Sequence, residues 1–161
     1  MIDALVDFIY QNLGAELVVF ITSALPVVEV RGAIPLGISL GLTPFDTFVA
    51  SVLGSMLPVP FILLAIRRIF QFLRQFKPLG RLLDRFRERT LRKGEQVQKY
   101  GALGLVMFVG VPLPGTGVWT GSFIAVLLNI PFRWALPAIF LGNLIAAVAV
   151  MIITQGIAAL F

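Results

Sequence analysis

Between Leu17 and Leu42 the chain runs for 26 residues in which every side chain is apolar or small and uncharged, with two exceptions, Glu29 and Arg31. A charge at the centre of a bilayer costs roughly 2.5 to 3.5 kcal/mol on insertion scales, so such residues face a partner or a wet cavity. Two residues apart on an α-helix stand about 200° round the axis and cannot meet. Convergence of the pair therefore needs backbone that is not helical, and Pro26, Gly32, Pro35, Gly37 and Gly41 each weaken helix locally. A single spanning helix would hold both charges near its middle and two prolines inside it. The pattern predicts instead a re-entrant hairpin that turns back between Pro26 and Pro35, since non-helical backbone at membrane depth is tolerated when buried in protein or lining water. The plainer alternative is a structural salt bridge at the membrane surface beside a short helix.

Composition fixes the solvent. The 161 residues are 58% hydrophobic with a mean hydropathy of +0.97, which marks an integral membrane protein. Each spanning helix uses about 20 residues, so 1–161 makes one membrane domain with few crossings and little interior, and a homodimer is expected. With no Cys and no His, disulfides, thiolate chemistry, His-based triads and the common zinc sites are excluded. Eight carboxylates lie mostly outside the apolar runs, so no enzymatic activity, metal or cofactor is expected. The first residues, Met1 to Asp7, are acidic where a signal peptide would be basic, and nothing there reads as cleavable. Ile2, Leu5, Val6, Ile9 and Leu13 keep helical spacing, as an amphipathic interfacial helix or the start of the next segment.

Further along, Thr43-Pro44-Phe45-Asp46 reads as a turn and helix start, with Thr43 as cap and Pro44 at the first position. Thr47 to Ile66 follows as a spanning helix, with Gly54 and Ser55 as a small face and Pro58 and Pro60 kinking its second half. From Arg67 to Lys99 eleven bases stand against three acids, net +8, which exceeds the chain's total of +5. Such a segment stays cytoplasmic. Its apolar residues Ile69, Phe72, Leu73 and Phe76, then Leu79, Leu82, Leu83 and Phe86, keep helical spacing across Pro78 and Gly80. Two amphipathic helices would turn their bases to anionic headgroups at about 1 kcal/mol each, or pack their stripe on the protein itself. Nucleic-acid binding is not expected. Tyr100 to Ile130 is apolar and broken from Gly110 to Gly121, predicting a second hairpin with an unwound tip, and Ala135 to Phe161 is a last spanning helix.

The two halves, 1–66 and 100–161, repeat. Pro44-Phe45 answers Pro131-Phe132 at an offset of 87, and Leu53-Gly54-Ser55 answers Leu141-Gly142-Asn143 at 88. The turn after the first hairpin holds Asp46 and no base, whereas the matching turn holds Arg133 and no acid. By the positive-inside rule these turns lie on opposite sides, with residues 1–16, Asp46 and Phe161 outside and Arg81 and Arg133 inside. The fold class is thus an all-α polytopic membrane protein, an inverted repeat of re-entrant hairpin plus transmembrane helix joined by a basic cytoplasmic amphipathic segment. Transporters place substrate and ion sites where such broken helices meet.

Glu29 to Gly37 (EVRGAIPLG), Pro112 to Gly117 (PLPGTG) and Trp119-Thr120-Gly121 together resemble the putative small multi-drug export protein family over roughly residues 15–156. That family is distantly similar to the DedA superfamily, whose members are associated with paired re-entrant hairpins and flipping of polyprenyl-phosphate lipid carriers. The resemblance implies a multi-pass transporter of the cell membrane. It also implies that Glu29 stands where an acidic residue of the first DedA-like hairpin would stand, and that Pro112, Pro114 and Gly115 match the second tip. DedA-like proteins carry arginines around that tip, where this chain has Gly110, Val111 and Thr116.

Candidate site residues are Glu29, Arg31, Pro35, Pro112, Pro114, Gly115, Thr116, Gly117, Trp119, Thr120 and Asn143. Glu29 is either a proton carrier or a permanently ionised partner of Arg31. Arg31 suits phosphate oxygens through its planar fork. Backbone N–H groups of the Pro112 to Gly117 tip would cradle an anion with the Thr116 and Thr120 hydroxyls, or the tip only reverses the chain. Trp119 stacks on substrate or packs; Asn143 and Ser55 face a cavity or join helices. The expected function is transport of an amphipathic small molecule or lipid carrier across the cytoplasmic membrane, with proton coupling. The rival is a non-transporting scaffold whose basic loop holds anionic lipid.

Overall fold

The computed structural model describes residues 14–73, 81, 84–85, 88–89, 92 and 95–159. All regular structure among them is helical: α1 Ala15–Ser23, α2 Glu29–Ser39, α3 Pro44–Met56, α4 Pro58–Phe61, a π-helical turn Ile62–Ile66, α5 Arg67–Leu73, α6 Glu95–Tyr100, α7 Ala102–Gly110, α8 Val118–Leu127 and α9 Phe132–Ala158. The interfacial helix expected over residues 1–13 and most of the basic segment lie outside the described residues. Two stretches, Pro44–Ile69 and Phe132–Ile157, are long and apolar enough to cross a membrane, with mean hydropathies of 2.2 and 2.5. Only 39% of the most apolar window of each is buried within the protein, which leaves wide apolar faces for lipid.

Local chemistry sets the helix ends. The Thr43 side chain accepts the Asp46 N–H at 3.1 Å and donates its hydroxyl to the Asp46 carboxylate at 2.6 Å, while Pro44 occupies the first helical position, where its missing donor costs nothing. The first apolar run does break, but over residues 24–28, ahead of the charged pair. Pro35, expected within the reversal, sits inside α2 on an exposed face. Proline forfeits one helical hydrogen bond, and α2 is held against α1 and α3 firmly enough to keep its course. In the first span the break falls at Leu57, between α3 and α4. Pro58 and Pro60 withhold two amide donors there, and the chain answers with the π turn.

The chain divides into two compact units. Unit 1 comprises Met1–Leu57 and Asn143–Phe161. In it α1, α2 and α3 pack against one another, and Val30, Ile34 and Val52 close on Ala146, Ala147 and Val150 of α9. Lipid is as apolar as these side chains, so the association rests on close packing and polar contacts rather than on escape from water. Gly54 provides the closest approach: a Cβ there would collide with the Phe20 carbonyl oxygen and the Ser23 hydroxyl.

Unit 2 comprises Pro58–Gly142. Here α8 packs on α7, α4 and the π turn, burying Leu105, Val118, Ile124, Ala125 and Val59. A Cβ at Gly142 would stand 2.8 Å from the Val106 carbonyl oxygen and 2.8 Å from the Val109 Cβ. Gly54 and Gly142, matched by the sequence repeat, therefore do the same work in their own units. Each admits a backbone carbonyl, Phe20 of α1 in unit 1 and Val106 of α7 in unit 2. Arg67 adds a polar tie, donating from Nη2 to the Ile130 carbonyl at 2.8 Å and so fixing the span to the turn before α9.

Candidate functional site

Glu29 opens α2 with φ of +47°, a left-handed conformation that costs a non-glycine residue about 1 to 3 kcal/mol. Its amide still donates to the Leu25 carbonyl at 3.1 Å, so the preceding turn holds the backbone in place. This departure from helical geometry answers the 200° objection: the carboxylate leaves the helical track, and Oε2 comes to 3.9 Å from Arg31 Nη1. The residue is only 5% exposed, whereas the Arg31 side chain is 24% exposed. One charge is committed to the interior; the other is partly exposed, with its Nε buried.

Beside this pair unit 1 carries an unusual number of buried hydroxyls. Thr22, Ser23, Thr47, Ser51 and Ser55 are all buried, and so is Asn143. Asn143 donates from Nδ2 to Ser55 Oγ at 2.8 Å, and Ser55 Oγ donates in turn to the Val52 carbonyl at 3.0 Å. These are the two positions, 88 residues apart, that the sequence comparison of the halves aligned. Thr47 and Ser51 belong to the same face of α3 as Ser55, at intervals of four residues, and were not singled out by the sequence. Their spacing was the available signal; it was hidden by the apolar residues between them.

The second tip lies in unit 2. Residues 111–117 are non-helical, with Gly115 at φ +82° and Gly117 at φ +145°, values that side-chain-bearing residues rarely adopt. Thr116 directs its hydroxyl at the carbonyls of Val111 and Leu113, both at 2.8 Å, and its amide donates to Leu113 at 3.2 Å. Its donor is thus turned into the loop's own backbone. Leu113, Pro114 and Gly115 are exposed, Pro112, Trp119 and Thr120 half-buried, and Gly117 buried where α8 begins. Among the described residues no group of three or more acidic, Cys or His side chains could hold a metal ion.

Residues 29–149 match the family model described as "Putative small multi-drug export protein". The chain belongs to that family. Its match begins at Glu29, takes in Arg31, the Thr47, Ser51 and Ser55 hydroxyls and the whole second tip, and ends within α9 beyond Asn143. No curated protein and no solved structure matches the chain. Of the candidate residues, Glu29, Arg31, Pro35 and Asn143 fall in unit 1, and Pro112, Pro114, Gly115, Thr116, Gly117, Trp119 and Thr120 in unit 2.

Proposed function

We propose that the protein is a multi-pass transporter of the cell membrane that exchanges amphipathic cations for protons at Glu29. The observation that carries the reading is a carboxylate 5% exposed, held in strained backbone and facing an arginine at 3.9 Å. A lipophilic cation that displaces Arg31 satisfies the carboxylate; when the cation leaves, protonation or the return of Arg31 restores neutrality. Strain of this kind persists where the surrounding structure over-determines it, and functional sites are where it gathers. At the second tip, the Thr116 hydroxyl already gives its proton to loop carbonyls and is a poor donor to phosphate there.

The rest of the reading concerns arrangement in the membrane. The two hairpins enter from opposite faces as an inverted repeat, the basic segment lies in the cytoplasm against anionic headgroups, and the working unit is a homodimer. Equivalent work by Gly54 and Gly142 supports the repeat.

The test is transport by the purified protein in liposomes carrying a pH-sensitive dye, with a panel of lipophilic cations, neutral drugs and a polyprenyl-phosphate lipid. Cation-dependent proton movement that disappears in Glu29→Gln and in Arg31→Gln is expected. Movement of the polyprenyl phosphate alone would transfer the reading to a DedA-like lipid carrier. No transport of any member, with retained binding to anionic vesicles, would favour a scaffold.

A further inference from the structure

Buried hydroxyls in helices ordinarily give their proton to a carbonyl three or four residues back. This chain follows the rule at Thr22, which donates to Val18 at 2.6 Å, at Ser23 to Phe20 at 2.8 Å, and at Ser122 to Val118 at 2.6 Å. Thr47 and Ser51 break it. Both are 0% exposed, and neither Thr47 Oγ1 nor Ser51 Oγ has a hydrogen-bond partner among the described residues. They lie one helical turn apart on α3, and the next position on that face is Ser55 with its Asn143 bond.

Helices α2 and α3 pack together through a short turn over residues 40–43 and run antiparallel. Gly37 and Thr47 share a level, because a Cβ on Gly37 would stand 2.8 Å from Thr47 Oγ1. Counting back from Gly37 to Glu29 gives eight residues and about 12 Å of rise, and counting forward from Thr47 to Ser55 gives the same distance of about 12 Å. Ser55 therefore stands at the depth of Glu29. The hydroxyl face begins near the exposed turn and ends level with the buried carboxylate.

We propose that Thr47 and Ser51 hold ordered water, and that this file of water is the route by which protons reach Glu29 from the membrane face where the 40–43 turn lies. Buried water needs two to four polar partners, and the ladder of hydroxyls supplies them in sequence. Water fits better than a dehydrated metal cation, which would demand more oxygens and charge than two neutral hydroxyls offer. Among the described residues of this unit the charged groups are Glu29 and Arg31 on α2, Glu16 on α1 and Asp46 at the start of α3; residues 143–158 of α9 carry none. Transfer of protons to Glu29 rests on the exchange reading above, whereas the water site does not.

Water-edited solid-state NMR of the protein in lipid bilayers tests the site directly. Magnetisation should pass from water to Thr47 and Ser51 several-fold faster than to Thr22 and Ser122, and Thr47→Val should slow transfer to Ser51. Equal, slow transfer at all four residues would overturn the water site. The route is tested by substrate-driven proton flux, which Thr47→Val/Ser51→Ala should reduce by an order of magnitude while the folded yield and substrate binding persist. Wild-type flux in that variant overturns the route. Absence of flux in the wild type overturns proton exchange instead, with the NMR result still deciding the water.

Discussion

Asn143 donates to Ser55 across 2.8 Å between the two long apolar helices, in a place where both residues are sealed from solvent. Ser55 has a second bond, to its own Val52 carbonyl, so the two members are not equally dependent on one another. Ser55→Ala takes from the Asn143 amide a buried acceptor and should destabilise the protein by about 1 to 3 kcal/mol. Ser55→Ala/Asn143→Leu should recover most of this, since an apolar pair leaves nothing unsatisfied. Thermal unfolding in nanodiscs measures both, and a double variant weaker than Ser55→Ala would contradict the account.

For the Glu29 and Arg31 pair the exposure difference sets an order. Arg31→Gln leaves an almost wholly buried carboxylate without its ion-pair partner and should cost the greater part of the 3 to 5 kcal/mol typical of broken buried pairs, about 3 kcal/mol. Glu29→Gln leaves the Arg31 guanidinium, 24% exposed at its side chain with Nε buried, and should cost less, about 1 to 2 kcal/mol. Unfolding midpoints in the same detergent decide the order; equal losses would show that exposure does not govern it.

Closer contact is not possible at Gly54 or Gly142. Ala at either position meets backbone, which cannot rotate away as a side chain can, so each should lose at least about 1 to 3 kcal/mol. Gly54→Ala should be the worse, because it strikes both the Phe20 carbonyl and Ser23. Gly156, with open space around the position of its Cβ, is the control: Gly156→Ala should fold as the wild type does, by yield and melting temperature.

Sidedness is tested on a chain that has no cysteine of its own. Phe45 and Trp134 are 74% and 57% exposed and flank the two turns. Phe45→Cys should react with an impermeant maleimide added from outside intact cells, and Trp134→Cys only after permeabilisation. Labelling of both from one side would remove the inverted repeat.

The parts legible in the sequence were those set by local chemistry. Thr43-Pro44 caps a helix wherever it occurs with Asp46 behind it, and the prolines and glycines of 111–117 forbid helix regardless of what surrounds them. The ion pair was legible as a pair, but its means was not, because nothing in a glutamate announces φ of +47°; the turn before it imposes that value. Pro35 misled for the complementary reason. A proline weakens an isolated helix, and packing by α1 and α3 overrides the weakness. Contacts between residues far apart, such as Arg67 with Ile130, leave no local trace at all.

The π turn at Ile62–Ile66 alters what the first span presents to its surroundings. One extra residue in a helix sets every later side chain back by about 100° round the axis. Within unit 2 the faces of Pro58–Phe61 and Arg67–Leu73, before and after the turn, are therefore out of phase, and Arg67 is aimed by a count of residues rather than by its own chemistry. The turn works as a fixed offset coupling inside unit 2: a deletion of one residue within it would leave hydropathy and length almost untouched while pointing Arg67 at a different neighbour.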